Sequence, residues 1–336
     1  MSTLIVEVCK IEKVLAHDNA DALDLAQIKG WQCVIPKGRY APGDLVTYIP
    51  IDAVIPAEHS DRWGITKYLS NGRVRCARLR GEPSFGVIVD RDDREWPEGL
   101  DVQDHYGITK YVPPVKISAG DAEPSHPLFV EYTDVENLRN FPSVFTEGEE
   151  VSVSEKIHGT CCRLGLIESV WMAGSMSVRR RRPEDLAGSI YWQPMARQGV
   201  QDLLTYLGES HRQVILYGEV FGSKVQSLTY GQVGTLGFRA FDLLADGKYL
   251  DADDFAASCA RFGVPAVPVL YRGPYALGTV KALSEGATTL DADHIREGVV
   301  VRPVRERNGP KVGRVCLKYI GDPYLFAKNV TDSNDV

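Results

Sequence analysis

The chain has 336 residues, a formal net charge of −7, 44% hydrophobic residues and 25% charged residues. This composition is typical of globular proteins and excludes a mainly disordered or fibrous chain, and the length allows two domains with a core each. The negative net charge excludes diffuse binding of nucleic acid over the whole surface, so any site for a polyanion must be local.

The cysteines and the first residues indicate where the protein is located. Seven cysteines, an odd number without paired metal-ligand spacing, favour a reducing intracellular compartment. The N-terminal segment is apolar, but Glu7 and Lys10 interrupt it, unlike the apolar region of a signal peptide. No apolar run approaches the length of a membrane span. We expect a soluble cytoplasmic monomer without membrane contact.

Residues 1–106 predict a small β domain. Runs of strand-forming residues alternate with turn signals, in the order LIVEVCKIEKVL, WQCVIPKG, GDLVTYIPIDAVI, RVRCARLRG and FGVIVD. About five short strands in such a length suit a small barrel. We therefore predict an OB-like β-barrel that binds nucleic acid, with six candidate docking residues: Lys37, Arg39, Arg73, Arg75, Arg78 and Arg80.

Residues 107–128 contain four prolines among small and polar residues, which predicts a linker. Residues 129–336 then alternate strand patterns with two candidate helices. One runs from Met195 to Leu207 with apolar residues at helical spacing, and the other, DADDFAASCARFG, has an aspartate at its start and Gly263 at its end. The second domain is predicted to be α+β with mostly antiparallel sheets.

A lysine stands at the end of an alternating strand pattern in VSVSEKIHGTCCRLG. Lys156 follows Glu155 and precedes His158 and Gly159, and a glycine lets the backbone turn tightly beside a ligand. A lysine amine is a nucleophile when neutral, and a nearby cation lowers its pKa toward that state. The pattern indicates either a nucleophile for carbonyl or phosphorus chemistry or an exposed lysine at a strand end.

Three further charged residues lie in strongly apolar strand patterns of the second domain. Glu219 lies in ILYGEVFG, Glu297 begins REGVVVRP, and Lys318 lies in RVCLKYI. A charge in such a strand is costly unless it faces a site, although each could also reach solvent at a strand end. Two carboxylates could hold hydrated magnesium, and a lysine could neutralise a phosphate oxygen.

Two runs of basic residues stand out against the acidic background. Residues 296–318 hold seven basic and two acidic side chains, and residues 179–182 are four arginines in a row. A charge run is most often a solvated face, so these runs alone do not establish a site.

Six short segments of the second domain form a family pattern. In chain order they are EKIHGT, GSMSVR, LYGEVFG, FRAFDL, REGVVVRP and CLKYI. They resemble motifs I, Ia, III, IIIa, IV and V of the covalent nucleotidyltransferases, which include ATP-dependent ligases and mRNA capping enzymes. The histidine in KIHGT resembles the RNA ligase branch. The N-terminal β domain and LRNFPSVF resemble the Deinococcus-type nick-sealing RNA ligases.

The resemblance implies that ATP is the co-substrate, with Mg²⁺ or Mn²⁺. Lys156 would take AMP from ATP, Lys318 would hold the α-phosphate, and Phe238 would stack on adenine. Arg179 would contact phosphate and ribose, with Arg180 as the alternative register. Glu155 and Gly159, on either side of the lysine, complete the expected nucleotide-binding set.

The resemblance also implies roles for metal and RNA. Glu219 would serve the ribose or a metal, and Glu297 would hold metal-bound water. His158 would act mainly after lysine adenylylation, when AMP passes to the RNA 5′-phosphate. The implied partner is a nicked duplex with an RNA 3′-hydroxyl end, and the implied process is RNA repair.

The chain departs from the family pattern at three places. Cys161 stands where related enzymes often have an asparagine near the ribose. Motif V often has two lysines two residues apart, whereas here only Lys318 is present, so Arg314 is a candidate for the missing charge. The arginines of SVRRRRPED exceed what motif Ia needs and either touch RNA or are exposed.

Two alternatives follow from the same residues. DNA ligases and capping enzymes of the superfamily place an OB domain after motif V, whereas here the β domain precedes the lysine, which favours an RNA ligase. A nucleic-acid-binding protein with a weak catalytic half, such as a nick sensor, is the alternative of a different class. The complete set of Lys156, Glu219, Glu297 and Lys318 argues against it.

Overall fold

A computed structural model describes residues 3–112, 121–223, 225–290 and 292–327. These residues form two compact units. The first contains the chain up to residue 112 together with Arg139–Pro142, and the second contains the rest of the described chain from residue 121. Of the predicted linker, residues 113–120 lie outside the described residues. The predicted domain boundaries themselves stay a prediction.

The first unit is built from short strands and one short helix. Its elements are β1 (Glu7–Lys10), β2 (Lys13–Ala16), β3 (Leu23–Ile28), β4 (Trp31–Pro36), β5 (Leu45–Ile49), β6 (Ala53–Val54), α1 (Ala57–Arg62), β7 (Ala77–Leu79), β8 (Glu82–Ser84), β9 (Val87–Val89) and β10 (Thr109–Lys110). They form two three-stranded antiparallel sheets, β1-β5-β9 and β2-β3-β4, with the two-stranded pairs β10-β6 and β7-β8.

The first predicted strand is in fact two strands. The run from residue 4 to residue 15 breaks after Lys10, and its halves pair with different sheets, because β1 pairs with β5 and β2 with β3. At the break, the N–H of Ile11 donates to Asp44 and the N–H of Glu12 donates to Gln27. One apolar run thereby contributes to two sheets, and its first half packs in a core that includes Val6, Val8 and Ile49.

Arg139–Pro142 packs within the first unit although it comes later in the chain. The indole Nε1 of Trp31 donates to Asn140 Oδ1 at 3.1 Å. The Arg139 guanidinium lies 4.6 Å from the centre of the Trp31 ring. This distant segment therefore completes the environment of Trp31, which is 3% exposed.

The second unit has two large sheets, one two-stranded pair (Asn308–Gly309 with Gly313–Arg314) and four α-helices among its described residues. Its elements are β11 (Ala122–Glu123), β12 (Glu136–Asn137), β13 (Glu150–Lys156), β14 (Thr160–Ile167), β15 (Val170–Gly174), β16 (Arg179–Arg180), α2 (Gln198–Gly208), β17 (Gln213–Phe221), β18 (Gly237–Ala245), β19 (Lys248–Tyr249), α3 (Ala252–Phe262), β20 (Val269–Pro274), α4 (Leu277–Ser284), β21 (Gly298–Pro303), β22 (Asn308–Gly309), β23 (Gly313–Arg314), β24 (Leu317–Ile320) and α5 (Asp322–Leu325).

The two large sheets confirm the predicted α+β architecture with mostly antiparallel pairing. The seven-stranded sheet has the order β11-β16-β15-β14-β17-β18-β19, and the five-stranded sheet has the order β12-β24-β21-β13-β20. The pairing of β12 with β24 is parallel. The remaining pairs described within these sheets are antiparallel.

Both predicted helices are present. Gln193–Ala196, which contains Pro194, is a 3₁₀ turn, so α2 begins at Gln198 rather than at Met195. Gly263 ends α3 with φ +65°, a left-handed conformation that glycine adopts without strain. The Asp251 side chain at the start of α3 makes no capping hydrogen bond and instead accepts from the N–H of Glu306 at 2.7 Å.

The seven-stranded sheet has two distinct faces. One face packs against α2 and α3 in a core that includes Leu164, Leu216, Val220 and Leu203. The other face carries Tyr217 and Ile215, and it turns toward the five-stranded sheet, where Arg302 of β21 donates to Asp242 of β18 at 3.0 Å. We call the first the helix face and the second the inter-sheet face.

Candidate active site

Lys156 ends β13 on the inter-sheet side of the five-stranded sheet. Alternation along the strand places Ser152, Ser154 and Lys156 on one face and the buried Val151 and Val153 on the other. The Lys156 Nζ lies 2.7 Å from Glu297 Oε1, and the side chains are 16% and 1% exposed. The end of β13 thus holds the partly exposed Lys156 ammonium group against the buried Glu297 carboxylate.

The turn after Lys156 requires a glycine. A Cβ added to Gly159 would lie 2.2 Å from the Val220 carbonyl oxygen and 2.9 Å from Glu219 Cγ. Only a residue without a side chain lets the turn approach β17 this closely. Gly159 therefore brings the end of the Lys156 strand next to the Glu219 strand.

His158 is fully buried within this turn. Its backbone N–H donates to the Tyr230 hydroxyl at 2.8 Å, and its Nδ1 lies 3.0 Å from the Tyr324 hydroxyl. Its Nδ1 is also 4.0 Å from Glu297 Oε2. Lys156, His158 and Glu297 therefore lie together in one cluster.

Glu219 lies in a row of three residues that face the inter-sheet side. Strand pairing sets Cys161 opposite Glu219, and Glu219 opposite Arg239. Burial, and next the nearby Arg197, lowers the pKa of the Arg239 guanidinium. Sequence reasoning missed Arg239, because an arginine in FRAFDL has no special signal until its register beside Glu219 is known.

Lys318 joins the same face through the register of the five-stranded sheet. Ser154 pairs with Val300, and Val300 pairs with Lys318. Because paired residues share a face, Lys318 lies on the side of Lys156. The close approach of these strands depends on Gly298, where a Cβ would lie 2.3 Å from the Tyr319 carbonyl oxygen.

The structure distinguishes the two candidate arginines of motif Ia. Across the seven-stranded sheet, Arg179 pairs with Gly174, Gly174 with Arg163, and Arg163 with Tyr217. Because paired residues share a face, Arg179 lies with Tyr217 on the inter-sheet face. Its guanidinium is 2.9 Å from the Glu123 carboxylate. Arg180 lies on the helix face, where its guanidinium is 5.2 Å from the Tyr191 ring.

Phe238 does not lie with the catalytic cluster. It pairs with Val220 on the helix face, is 2% exposed, and covers Gly218, whose added Cβ would meet the ring at 2.3 Å. Phe241 instead falls at a bulge in β18 and packs with Tyr132 on the inter-sheet face, with ring centres 4.8 Å apart. Phe238 thus lies on the helix face and Phe241 on the inter-sheet face, because the bulge in β18 decides which residues of FRAFDL face each side. The adenine-stacking role of Phe238 stays a prediction.

Glu155 also points away from the cluster. Its carboxylate accepts from the Thr289 N–H at 2.8 Å and from the hydroxyls of Thr288 and Thr289. The Arg296 Nε lies 3.6 Å away. As the neighbour of Lys156 in a strand, Glu155 necessarily faces the opposite side, where it holds the segment around residue 288.

Arg314 lies in a buried ion-pair network instead of supplying charge beside Lys318. Its Nη2 donates to Asp242 Oδ2 at 2.6 Å and to Glu306 Oε1 at 2.7 Å, and its guanidinium lies 3.5 Å from the Tyr249 ring centre. Burial alone would lower the pKa of Arg314, but Tyr132, Glu306 and Asp242 raise it above its ordinary value. We define this ion-pair network as Asp242, Arg302, Glu306, Arg314 and Tyr132.

Comparison with known protein families agrees with this arrangement. The RNA ligase family model matches residues 149–320, which include the whole cluster from Lys156 to Lys318, and an OB-fold domain model matches residues 5–90. The class is therefore an OB-fold domain followed by a ligase domain. The chain belongs to the RNA ligase family, as the order of the six motifs predicted. Curated proteins give no significant match.

Solved structures of similar fold come from Naegleria gruberi RNA ligase. A lysine-to-alanine mutant with ATP and Mn has 24% identity and a TM-score of 0.79, covering 96% of this chain and 98% of that one. A glutamate-to-alanine mutant with AMP and Mn has 24% identity, a TM-score of 0.80 and the same coverage. The form with PPi has 24% identity, a TM-score of 0.79 and again 96% and 98% coverage. The predicted fold, an OB-like barrel and a ligase domain, is confirmed.

Within the described part of the chain, no helix combines the length and the apolar character that crossing a membrane requires.

Proposed function

We propose that this chain is an ATP-dependent RNA ligase that seals nicks between a 3′-hydroxyl and a 5′-phosphate through a lysyl-AMP intermediate. The observation that carries the proposal is the Lys156 amine held 2.7 Å from the buried Glu297 carboxylate, beside His158 and in the motif order of the family. A lysine fixed in this way can meet an electrophilic phosphorus in one defined direction.

The first step uses Lys156 as the nucleophile. Its Nζ forms a bond with the α-phosphorus of ATP, the bond between that phosphorus and the bridging oxygen to the β-phosphate breaks, and pyrophosphate leaves with the electron pair. Glu297 is the neighbouring group that can receive the lysine proton. Lys318, on the same face, is placed to neutralise the phosphate charge that increases during the transfer.

Two further transfers complete the reaction. An oxygen of the RNA 5′-phosphate attacks the α-phosphorus of lysyl-AMP, and Lys156 leaves as the amine. The 3′-hydroxyl then attacks the activated 5′-phosphate, and AMP leaves as the new phosphodiester bond forms. His158 is assigned to the second transfer by the resemblance of KIHGT to the RNA ligase branch, and its ring is buried in the turn that follows Lys156.

The residues present fit ATP and a divalent cation. Among the described residues there is no group of three or more His, Cys, Asp or Glu side chains that could hold a metal. Glu219 and Glu297 are two hard oxygen donors, and Mg²⁺ commonly uses one or two carboxylates together with substrate phosphates and water. Bound there, Mg²⁺ or Mn²⁺ would neutralise phosphate charge. The Naegleria gruberi structures with ATP and Mn and with AMP and Mn support this choice.

The proposed partner is a nicked duplex whose 3′-hydroxyl strand is RNA. Five of the six candidate docking residues of the first unit are exposed, namely Lys37, Arg39, Arg75, Arg78 and Arg80, although Arg39 donates to Asp90 at 2.9 Å. Arg73 is not available, because its Nε donates to Asp52 at 2.8 Å in a buried pair. Since the chain carries a net charge of −7, a local basic surface of this kind would provide the attraction to phosphates.

We further propose that the enzyme acts as a monomer in the cytoplasm, in RNA repair. The seven cysteines are not joined by disulfide bonds, which fits a reducing compartment.

Labelling with ATP tests the first step. The parent protein, incubated with α-labelled ATP and Mg²⁺, should retain a covalent label that is stable to alkali and released by acid, as a lysine phosphoramidate is, and Lys156→Ala should remain folded and retain none. Lys248→Ala, which removes an exposed lysine in β19, is the matched control and should label normally. A parent without label would indicate a nick-binding protein, and a labelled Lys156→Ala would move the nucleophile elsewhere.

Paired nicks test the substrate. Two duplexes should differ only in the sugars at the 3′-hydroxyl end of one strand, ribose in one and deoxyribose in the other. We expect the ribose end to be sealed faster and DNA to be tolerated on the 5′-phosphate side, since a 2′-hydroxyl is both donor and acceptor and favours A-form geometry. Equal rates on both nicks would make the protein functionally a DNA ligase.

A further inference from the structure

His158 contacts Tyr324, a residue that lies outside the six motif segments. The ring is 0% exposed, and its Nδ1 lies 3.0 Å from the Tyr324 hydroxyl. On the other edge, Nε2 is 3.5 Å from Ser227 Oγ, at the outer limit of a hydrogen bond. The shorter contact of the ring is thus made by a residue 166 positions away in the chain.

Tyr324 is placed by the same segment that carries Lys318. β24 ends at Ile320, Gly321 turns the chain, and α5 brings Tyr324 back beneath the Lys156 turn. The turn is fixed on both sides. The Gly321 N–H donates to the Glu297 carbonyl at 2.9 Å, and a Cβ on Gly321 would lie 2.4 Å from the Ser284 carbonyl oxygen.

The Tyr324 ring has no freedom to leave this position. It is 3% exposed and packs in a cluster with Ile157, Phe221 and Ile320, which comes from both sheets. Its ring centre lies 5.7 Å from that of His158 in an edge-to-face arrangement. A phenol held so tightly needs a hydrogen-bond partner, because an unsatisfied hydroxyl in the interior is costly.

We propose that Tyr324 is a positioning residue for His158. The tyrosine hydroxyl donates to Nδ1, so that the proton of the neutral imidazole stays on Nε2 and the ring keeps one orientation. The contact also occupies Nδ1, which otherwise faces Glu297 Oε2 at 4.0 Å. Glu297 thereby stays paired with Lys156 rather than with the histidine. The inference rests on the proposed function, since it assigns the role of Tyr324 within that same site.

The expected consequence separates the steps of ligation. If His158 acts after lysine adenylylation, loss of the Tyr324 hydroxyl should leave labelling of Lys156 by ATP within about twofold of the parent. Sealing of a pre-adenylylated nick should fall about tenfold to a hundredfold, the range expected when one buried hydrogen bond that orients a reacting group is removed.

The experiment compares Tyr324→Phe with Tyr48→Phe under single-turnover conditions. Tyr48 is also buried, 2% exposed, and its hydroxyl donates to the Phe85 carbonyl at 2.7 Å, so this control loses a similar hydrogen bond outside the site. If loss of the hydroxyl only weakens the structure, labelling by ATP and sealing of the pre-adenylylated nick should fall together, in proportion to the fall in the thermal midpoint. A selective loss of sealing in Tyr324→Phe alone supports positioning, and parent-like sealing overturns it.

Nuclear magnetic resonance gives a second readout, and its first part, on the parent protein, does not depend on any variant being folded. In the parent labelled with ¹⁵N-histidine, long-range ¹⁵N–¹H correlations report which ring nitrogen carries the proton, and His158→Asn identifies the signals of His158. We expect the Nε2–H form in the parent and loss of that preference in Tyr324→Phe. A parent ring protonated on Nδ1 would overturn the proposal.

Failure of this inference can be distinguished from failure of the proposed function. If the parent takes no label from ATP, the proposed function fails regardless of Tyr324. If the parent labels and seals but Tyr324→Phe does both equally well, only the role of Tyr324 fails.

Discussion

The inter-sheet face of the second unit has two charged regions built from the same two sheets. In the buried ion-pair network, both oxygens of Asp242 accept short hydrogen bonds, Oδ1 from Arg302 at 3.0 Å and Oδ2 from Arg314 at 2.6 Å. In the catalytic cluster, Lys156 meets Glu297 at 2.7 Å but keeps 16% of its side chain exposed. One region joins the sheets, and the other presents a charged group at an accessible edge.

The difference shows how one fold can use similar charges in two ways. Asp242 is 0% exposed and its four donors include Tyr132 and the N–H of Leu243, so its charge is balanced by permanent partners. Such a group contributes to stability and cannot change partners without opening the core. In the proposed reaction, by contrast, Lys156 and Glu297 must exchange partners, which requires access to substrate. Mutations in the two regions should therefore separate stability from activity.

The largest expected effect is in the ion-pair network. Asp242→Ala removes the acceptor of Arg302 and Arg314 and should cost about 3–5 kcal/mol, as breaking a buried ion pair does. Thermal unfolding measures the change, with a fall of roughly 10 °C expected for a unit of this size. Asp253→Ala is the control, because Asp253 pairs with Arg272 at the surface, and its midpoint should stay near the parent. Equal midpoints for both variants would contradict the role assigned to Asp242.

The next effect is on activity, in the catalytic cluster. Glu219→Gln and Glu297→Gln keep the side-chain shape but remove the charge that would orient a hydrated cation. Each should lower sealing at least about 100-fold, since such charge stabilisation is worth several kcal/mol. Sealing rates across a magnesium titration are the measurement, with the exposed Glu209→Gln as control. If both variants seal nicks at the parent rate, the metal role is excluded. We expect the thermal midpoints of both variants to stay unchanged, in contrast to that of Asp242→Ala.

A third variant affects both properties at the point where the sheets meet. Gly159→Ala places a Cβ 2.2 Å from a backbone oxygen of β17 and should destabilise by about 1–3 kcal/mol, as overpacking does. Because the shift displaces the turn that holds Lys156, adenylylation should fall as well. Gly188→Ala is the matched control, since its added Cβ meets nothing within 4 Å. Adenylylation at the parent rate in Gly159→Ala would show that the turn tolerates displacement.

The smallest effect should separate two adjacent arginines. Arg179→Ala removes a half-buried pair with Glu123 and should cost less than about 1 kcal/mol, while raising the KM for ATP in the adenylylation assay. Arg180→Ala removes a side chain from the helix face and should lower the thermal midpoint while leaving that KM unchanged. If Arg180→Ala rather than Arg179→Ala raises the KM for ATP, Arg180 is the motif Ia arginine that contacts the nucleotide.

The parts of the site that follow strand alternation could be predicted from the sequence. In VSVSEK the buried valines fix one face, and Lys156 must then lie on the other, where the structure has it. Lys318 and Glu219 are likewise the less buried residues of strands that are otherwise buried. The α3 helix and its terminal Gly263 also follow from local signals. These features depend on neighbouring residues, which a sequence displays directly.

The parts that depend on register or on distant contacts could not be predicted. In FRAFDL, the residues facing the site depend on a bulge opposite Tyr217 and Gly218, and a motif does not encode a bulge. The partners of Glu155 lie 133 and 134 residues away, at Thr288 and Thr289. The contact between Tyr324 and His158 also forms only after both sheets are in place. Each of these is decided by tertiary packing rather than by local preference.

The segment Arg139–Pro142 has a consequence for dividing the protein into fragments. Because it packs with the first unit, that unit is discontinuous in sequence and cannot be released whole by a single cut. A fragment ending at residue 112 would lack Asn140 and Arg139, and the indole of Trp31 would lose its acceptor and its stacked cation. Exchange of the N-terminal unit between related ligases would therefore have to transfer these four residues as well, as a second, separate graft.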